Sequence, residues 1–108
     1  MKFDHVAVNV KDIRKSASIA WYQDHFDCEV LYQDDTWAMI NVCGLNLSFV
    51  TPSQHPAHIA FCVTNEEEIK KYKDKNFKTH RDGTKSFYMR DDQNNILEIV
   101  VRPGDEKD

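Results

Sequence analysis

Three side chains of this 108-residue chain, His5, His58 and Glu98, are of types that ligate divalent cations, and strand alternation can turn all three to one face. His5 opens the run HVAVNV and His58 opens HIAFCV. In extended backbone, Val6, Val8 and Val10 take one face and His5, Ala7 and Asn9 the other. The same parity sets Ile59, Phe61 and Val63 under a helix, with His58, Ala60 and Cys62 opposite. In the run NILEIVV, Leu97, Ile99 and Val101 form the apolar row and leave Ile96, Glu98 and Val100 facing away. An unpaired carboxylate buried among such neighbours costs several kcal/mol, so Glu98 calls for a cation. Neutral imidazole and carboxylate together bind divalent metals at roughly 2.0–2.2 Å. Two histidines and one carboxylate suit Fe2+, with Mn2+, Ni2+, Co2+ and Zn2+ also compatible. Three protein ligands would leave open positions on such an ion, which could act there as a Lewis acid.

The elements that must position these groups come in a repeat. Both HVAVNV and HIAFCV fit H-[VI]-A-x-x-V, and each leads into a helix-like segment and then three strand-like runs. In the first half Asp12 is the expected N-cap, with Ile13, Ala17, Ala20 and Trp21 at helical spacing before Phe26. Strands are expected at 29–33, 37–42 and 45–50. In the second half Thr64 or Asn65 can cap a helix, with Glu67 or Glu68 completing a capping box and Ile69 and Tyr72 on its apolar face. Strands then fit 78–80, 86–90 and 96–101, with turns at Arg81-Asp82-Gly83 and over residues 91–95. Pro52 and Pro56 interrupt the chain between the halves. The expectation is an α+β fold within one domain: a βαβββ module over 1–51, a linker over 52–56, a second module over 57–103 and a polar tail over 104–108. One module alone would expose apolar surface, so two must pair, within one chain or by exchange in a homodimer.

Counting along the repeat, His58 to Glu98 spans 98 − 58 = 40 residues, and about the same distance from His5 reaches Asn46. Trp37, Asn41, Asn46, Ser48, Tyr88 and Arg90 are further candidates for the face bearing the metal, as substrate-binding residues. Arg90 could bind a carboxylate or phosphate. Cys62 falls on that face too, as a buried thiol. His25, His55 and His80 are expected at the surface.

Composition narrows the function classes. Lys plus Arg number 14 against 18 Asp plus Glu, a net charge of −4, which disfavours nucleic acid as a partner. No apolar run approaches the roughly 20 residues that cross a bilayer, and Met1-Lys2-Phe3-Asp4 lacks the apolar stretch of a signal peptide, so a cytoplasmic protein is expected. Cys28, Cys43 and Cys62 are widely spaced and suggest reduced thiols rather than a disulfide framework.

The segments HVAVNV, WYQDHFDCEVL, AHIAF and FYMRDDQNNILE, in that order and over nearly the whole chain, resemble the vicinal oxygen chelate superfamily of glyoxalases, bleomycin-resistance proteins, extradiol dioxygenases and fosfomycin-resistance enzymes. The resemblance implies paired βαβββ modules curling as one curved sheet around a metal-binding cleft. It implies ligands from the first strand of each module and from the final strand, which are His5, His58 and Glu98. It also implies a pocket-lining, catalytic role for Tyr88 beside Glu98. Glyoxalase I-like members carry a further carboxylate at a position that looks like Asn46, which argues against ordinary lactoylglutathione isomerisation. Ala7, where fosfomycin-modifying enzymes tend to have threonine, and the missing basic tail after Pro103 argue against that activity. The length argues against a typical catalytic dioxygenase. What remains is a metal-dependent enzyme of unspecified reaction on a small oxygenated substrate, or a non-catalytic small-molecule binding protein.

Overall fold

The computed structural model describes residues 1–12, 17–80 and 83–102. The chain runs β1 (Lys2–Asn9), α1 (Ser18–His25), β2 (Cys28–Gln33), β3 (Trp37–Val42), β4 (Leu45–Val50), β5 (His58–Cys62), α2 (Glu66–Lys71), β6 (Lys78–Thr79), β7 (Lys85–Arg90) and β8 (Ile96–Val101). The eight strands are mixed parallel and antiparallel, in the order β2-β3-β4-β1 and β5-β8-β7-β6. The chain divides into two compact units, His5–His58 and Met1–Asp4 with Ile59–Asp108.

In the unit His5–His58, β1 pairs parallel with β4, and β2-β3-β4 is an antiparallel meander. Alternation decides which side chains are buried. Ala38, Ile40, Val42, Leu47 and Phe49 form a core onto which Val6, Val8, Val10, Ile19 and Tyr22 pack. Residues of the other parity, His5, Ala7, Met39, Asn41, Asn46 and Ser48, therefore belong to the helix-free face. The β3–β4 hairpin turns on Cys43 (φ 51°) and Gly44 (φ 87°), two left-handed residues as the tightest hairpin turn requires. Helix α1 starts at Ser18 with Ala17 at its N-cap and no capping side chain, so Asp12 does not cap it. With eight residues and no fully buried side chain, α1 is held by Ile19 and Tyr22 on the core rather than by a cap. Ile13, expected on its apolar face, lies outside the described residues.

The other unit repeats the pattern. β5 pairs parallel with β8, and β6-β7-β8 is antiparallel. Val63, Phe87, Ile99 and Val101 form its core, joined by Phe61, Ile69, Tyr72 and Phe77. Ile59, expected in this row, is 41% exposed: α2 spans only six residues, and the packed part of β5 begins at Phe61. Asn65 caps α2, its side chain accepting from the Glu68 backbone N–H, while Glu68 in turn accepts from the backbone and hydroxyl of Thr64. The N-terminal segment belongs here: Arg102 grips Asp4 through both carboxylate oxygens, and Phe3 meets Phe61 edge to face. Arg81 and Asp82 of the expected turn, and the expected tail over 104–108, lie outside the described residues.

Candidate metal centre

His5 is partly buried on β1 and His58 is 7% exposed at the start of β5, with their Nε2 atoms 3.3 Å apart. The His58 Nδ1 lies 2.8 Å from the Pro56 carbonyl oxygen. A carbonyl only accepts, so Nδ1 carries a proton and donates, and Nε2 is the ring nitrogen turned toward His5. Two nitrogens bound side by side to one ion at roughly 2.1 Å stand roughly 3.0–3.4 Å apart, and the observed spacing suits that geometry.

Glu98 is 7% exposed on β8, on the helix-free face, paired with Ala60 on one side and with Tyr88 on the other. Ligand atoms of His5, His58 and Glu98 lie within 4.8 Å of one another, a group able to hold a metal ion. The donor set of two imidazoles and one buried carboxylate fits a divalent ion. Burial together with the Glu98 charge pushes the Tyr88 phenol up to about 12, so it stays protonated at neutral pH and acts as a donor rather than a base.

The other sequence candidates separate into groups. On the helix-free side of His5–His58, the Asn41 amide donates to Asn46 Oδ1 at 2.9 Å and accepts from the Gly44 N–H, which fixes both amides. Trp37 stacks on Tyr32 at 4.5 Å. Arg90 is exposed, and its guanidinium donates to the Asn94 carbonyl of its own hairpin turn. Cys62 is buried, with its thiol on the Val63 carbonyl.

Two sequence expectations change. Strand register, not residue counting, defines the counterpart of Glu98: Glu98 pairs with Ala60, and Ala7, the matching residue of β1, pairs with Ser48. The equivalent position is therefore Ser48 rather than Asn46, because the first half is longer: 48 − 5 = 43 residues against 98 − 58 = 40. His80 is not a plain surface residue; it is partly buried and its Nε2 lies 2.8 Å from the hydroxyl of Ser86, a residue only 3% exposed. His80 follows the two-residue strand β6, which is too short for alternation to report where its side chain goes. Of the other histidines, exposed His25 stacks on Trp21, and His55 accepts a bond from Asn9 through its backbone carbonyl.

No helix among the described residues is long and apolar enough to cross a membrane. No curated protein matches the sequence at a significant level. Among solved structures, methylmalonyl-CoA epimerase of Streptomyces coelicolor superposes with a TM-score of 0.69 at 14% identity, covering 95% of this chain and 98% of that one. The Mycobacterium tuberculosis methylmalonyl-CoA epimerase gives 0.69 at 14% identity over 94% and 87% of the two chains. A glyoxalase/bleomycin resistance protein/dioxygenase superfamily member from Vibrio splendidus 12B01 gives 0.66 at 13%, over 93% and 99%. At these identities the likeness is one of fold. The family model of the Glyoxalase/Bleomycin resistance protein/Dioxygenase superfamily matches residues 2–99, and the chain belongs to that superfamily.

Proposed function

We propose that this protein is a metal-dependent vicinal oxygen chelate enzyme, in which His5, His58 and Glu98 hold one divalent ion, Fe2+ by preference, and a small substrate is bound through neighbouring oxygens. The observation that carries this reading is the Pro56 carbonyl on His58 Nδ1, which leaves Nε2 turned toward the His5 ring nitrogen. A bound ion would supply Lewis acidity toward the substrate oxygens. The chain's own groups supply the rest. In this reading the buried carboxylate of Glu98 exchanges a proton with the bound substrate and the phenol of Tyr88 donates a hydrogen bond, which is supported by their pairing across β7 and β8 and by the raised Tyr88 value. The locked amides of Asn41 and Asn46 offer further polar contacts to substrate. A homodimer is the expected assembly, supported by the edge strand β2, where Val30, Leu31 and Tyr32 are exposed.

Metal analysis of dialysed protein tests the reading. Expected is close to one divalent ion per chain, lost in His58→Ala. A parent protein that carries no stoichiometric metal and takes none up overturns it in favour of a non-catalytic binding protein.

A further inference from the structure

The helix-free face of the unit containing Glu98 carries more than the proposed ligand and Tyr88. Register and parity set Lys78 beside Ser86 on this face. His80 comes two residues later, its backbone N–H donating to the Thr84 carbonyl and its Nε2 meeting the Ser86 hydroxyl at 2.8 Å. Along β7, Ser86 and Tyr88 are successive residues of that face, and Tyr88 stands opposite Glu98. Two residues of extended strand cover roughly 6.6 Å, so the His80–Ser86 pair stands about one short substrate's length from the proposed ligand carboxylate.

This corner is built rather than incidental. Ser86 is 3% exposed and Thr84 8%, and burial of polar side chains is tolerated when they are bonded, as Ser86 is to His80. Its charge is one-sided. Lys78 adds a cation and His80 a ring N–H donor, while Glu98 is the single acidic side chain that strand parity assigns to this face among the described strand residues. Lone serine–histidine pairs also occur in hydrolytic nucleophiles, but a hydroxyl this deeply buried offers no approach for attack, so binding is the role that fits.

We infer that Lys78, His80 and Ser86 form a second subsite that takes an anionic group, a carboxylate, at the far end of the substrate from its chelating oxygens. This inference rests on the proposed metal-dependent reading and gives it a substrate class: small acids carrying both a bidentate oxygen pair and a separate carboxylate. His80 and Lys78 set specificity by charge-assisted hydrogen bonding, and Ser86 is a positioning residue that fixes the His80 ring.

Two chelators that differ only by the distal charge test it. Co2+-loaded full-length protein is titrated with acetohydroxamate, which can only chelate, and with succinic acid monohydroxamate, which adds a carboxylate, while the cobalt absorption is recorded. The expected result is about tenfold tighter binding of the carboxylated probe, a preference abolished in both Lys78→Ala and His80→Gln while Co2+ stoichiometry and acetohydroxamate affinity stay as in the parent. Lys78 is exposed, so its variant keeps the test valid if His80→Gln folds poorly. Equal affinity for the two probes in Co2+-loaded parent protein, or a preference that survives both substitutions, overturns the subsite and leaves the metal reading standing. A parent chain that takes up no Co2+ overturns the metal reading and this inference with it.

Discussion

The halves beginning at His5 and at His58 share a plan to the level of individual strand partners, and they part at one pair of equivalent residues. Each opens with a histidine on a strand that pairs parallel with the last strand of its own half. In the first half the position two residues on, Ala7, faces Ser48, and Ser48 is flanked on its other side by Met39. In the second half the matching Ala60 faces Glu98, flanked by Tyr88. One half thus offers an imidazole and a small hydroxyl, the other an imidazole, a carboxylate and a phenol. The shared backbone delivers equivalent positions, while the chemistry resides in which of them received an ionisable side chain.

The largest expected effect comes from erasing that difference. Glu98→Gln keeps shape and removes charge, and metal affinity measured by competition with a chelator should fall by at least about a hundredfold, more than for a typical residue that only supports a ligand. An unchanged affinity would mean that the second half has no special part in binding. Next in size is building the difference into the first half. Ser48→Glu should tighten divalent metal binding by about tenfold, because it adds a charged ligand at the register equivalent of Glu98, whereas Asn46→Glu should leave it unaltered. Tighter binding in Asn46→Glu alone would show that residue counting, not register, identifies the equivalent site.

Smaller effects concern how each half is held. Helix α2 is capped by Asn65 in extended backbone, and α1 has Ala17 at φ −93° and ψ 9°, which is not capping geometry. Asn65→Ala should therefore cost about 1 kcal/mol in denaturant melts and Ala17→Ser close to nothing. The smallest effect is acid dependence at the second half's hairpin turn, where the side chain and backbone of Asn95, with help from the Gln93 N–H, hold Asp91 below its ordinary value of 3.8. A depressed folded-state value means the stabilisation is complete above 3.8 and disappears as pH falls through the lower folded value. Parent and Asp91→Asn melts should accordingly converge as pH falls below 3.8 and separate slightly at neutral pH.

The fold is legible where one rule acts alone. Strands 37–42, 45–50 and 96–101 have the bounds that alternation predicts, because each is flanked by turn residues and has one face in a core. The face of His5 and Glu98 comes from the same parity. Expectations fail where two distances have to be compared or an element is too short to shape its surroundings. Counting points to Asn46 instead of Ser48 because a count along the chain misses the longer path of the first half. Asp12 has the residue type of a cap but not the place, because a local preference cannot report where the first turn of an eight-residue helix begins. His80 is hidden from pattern reading because β6 has only two residues, and its partner Ser86 is far from it in pattern though near in space.

The carbonyl that fixes the His58 proton belongs to Pro56, within the proline-bounded segment joining the halves. In the proposed site that connector would take part in ligation, because it sets which imidazole nitrogen carries the proton. Lengthening or shortening it would leave both halves able to form their strands yet free the ring to turn or shift its proton to the nitrogen needed for bonding. In this chain, then, the spacer between the halves is expected to tolerate insertion poorly next to His58, whatever side chains the spacer itself carries.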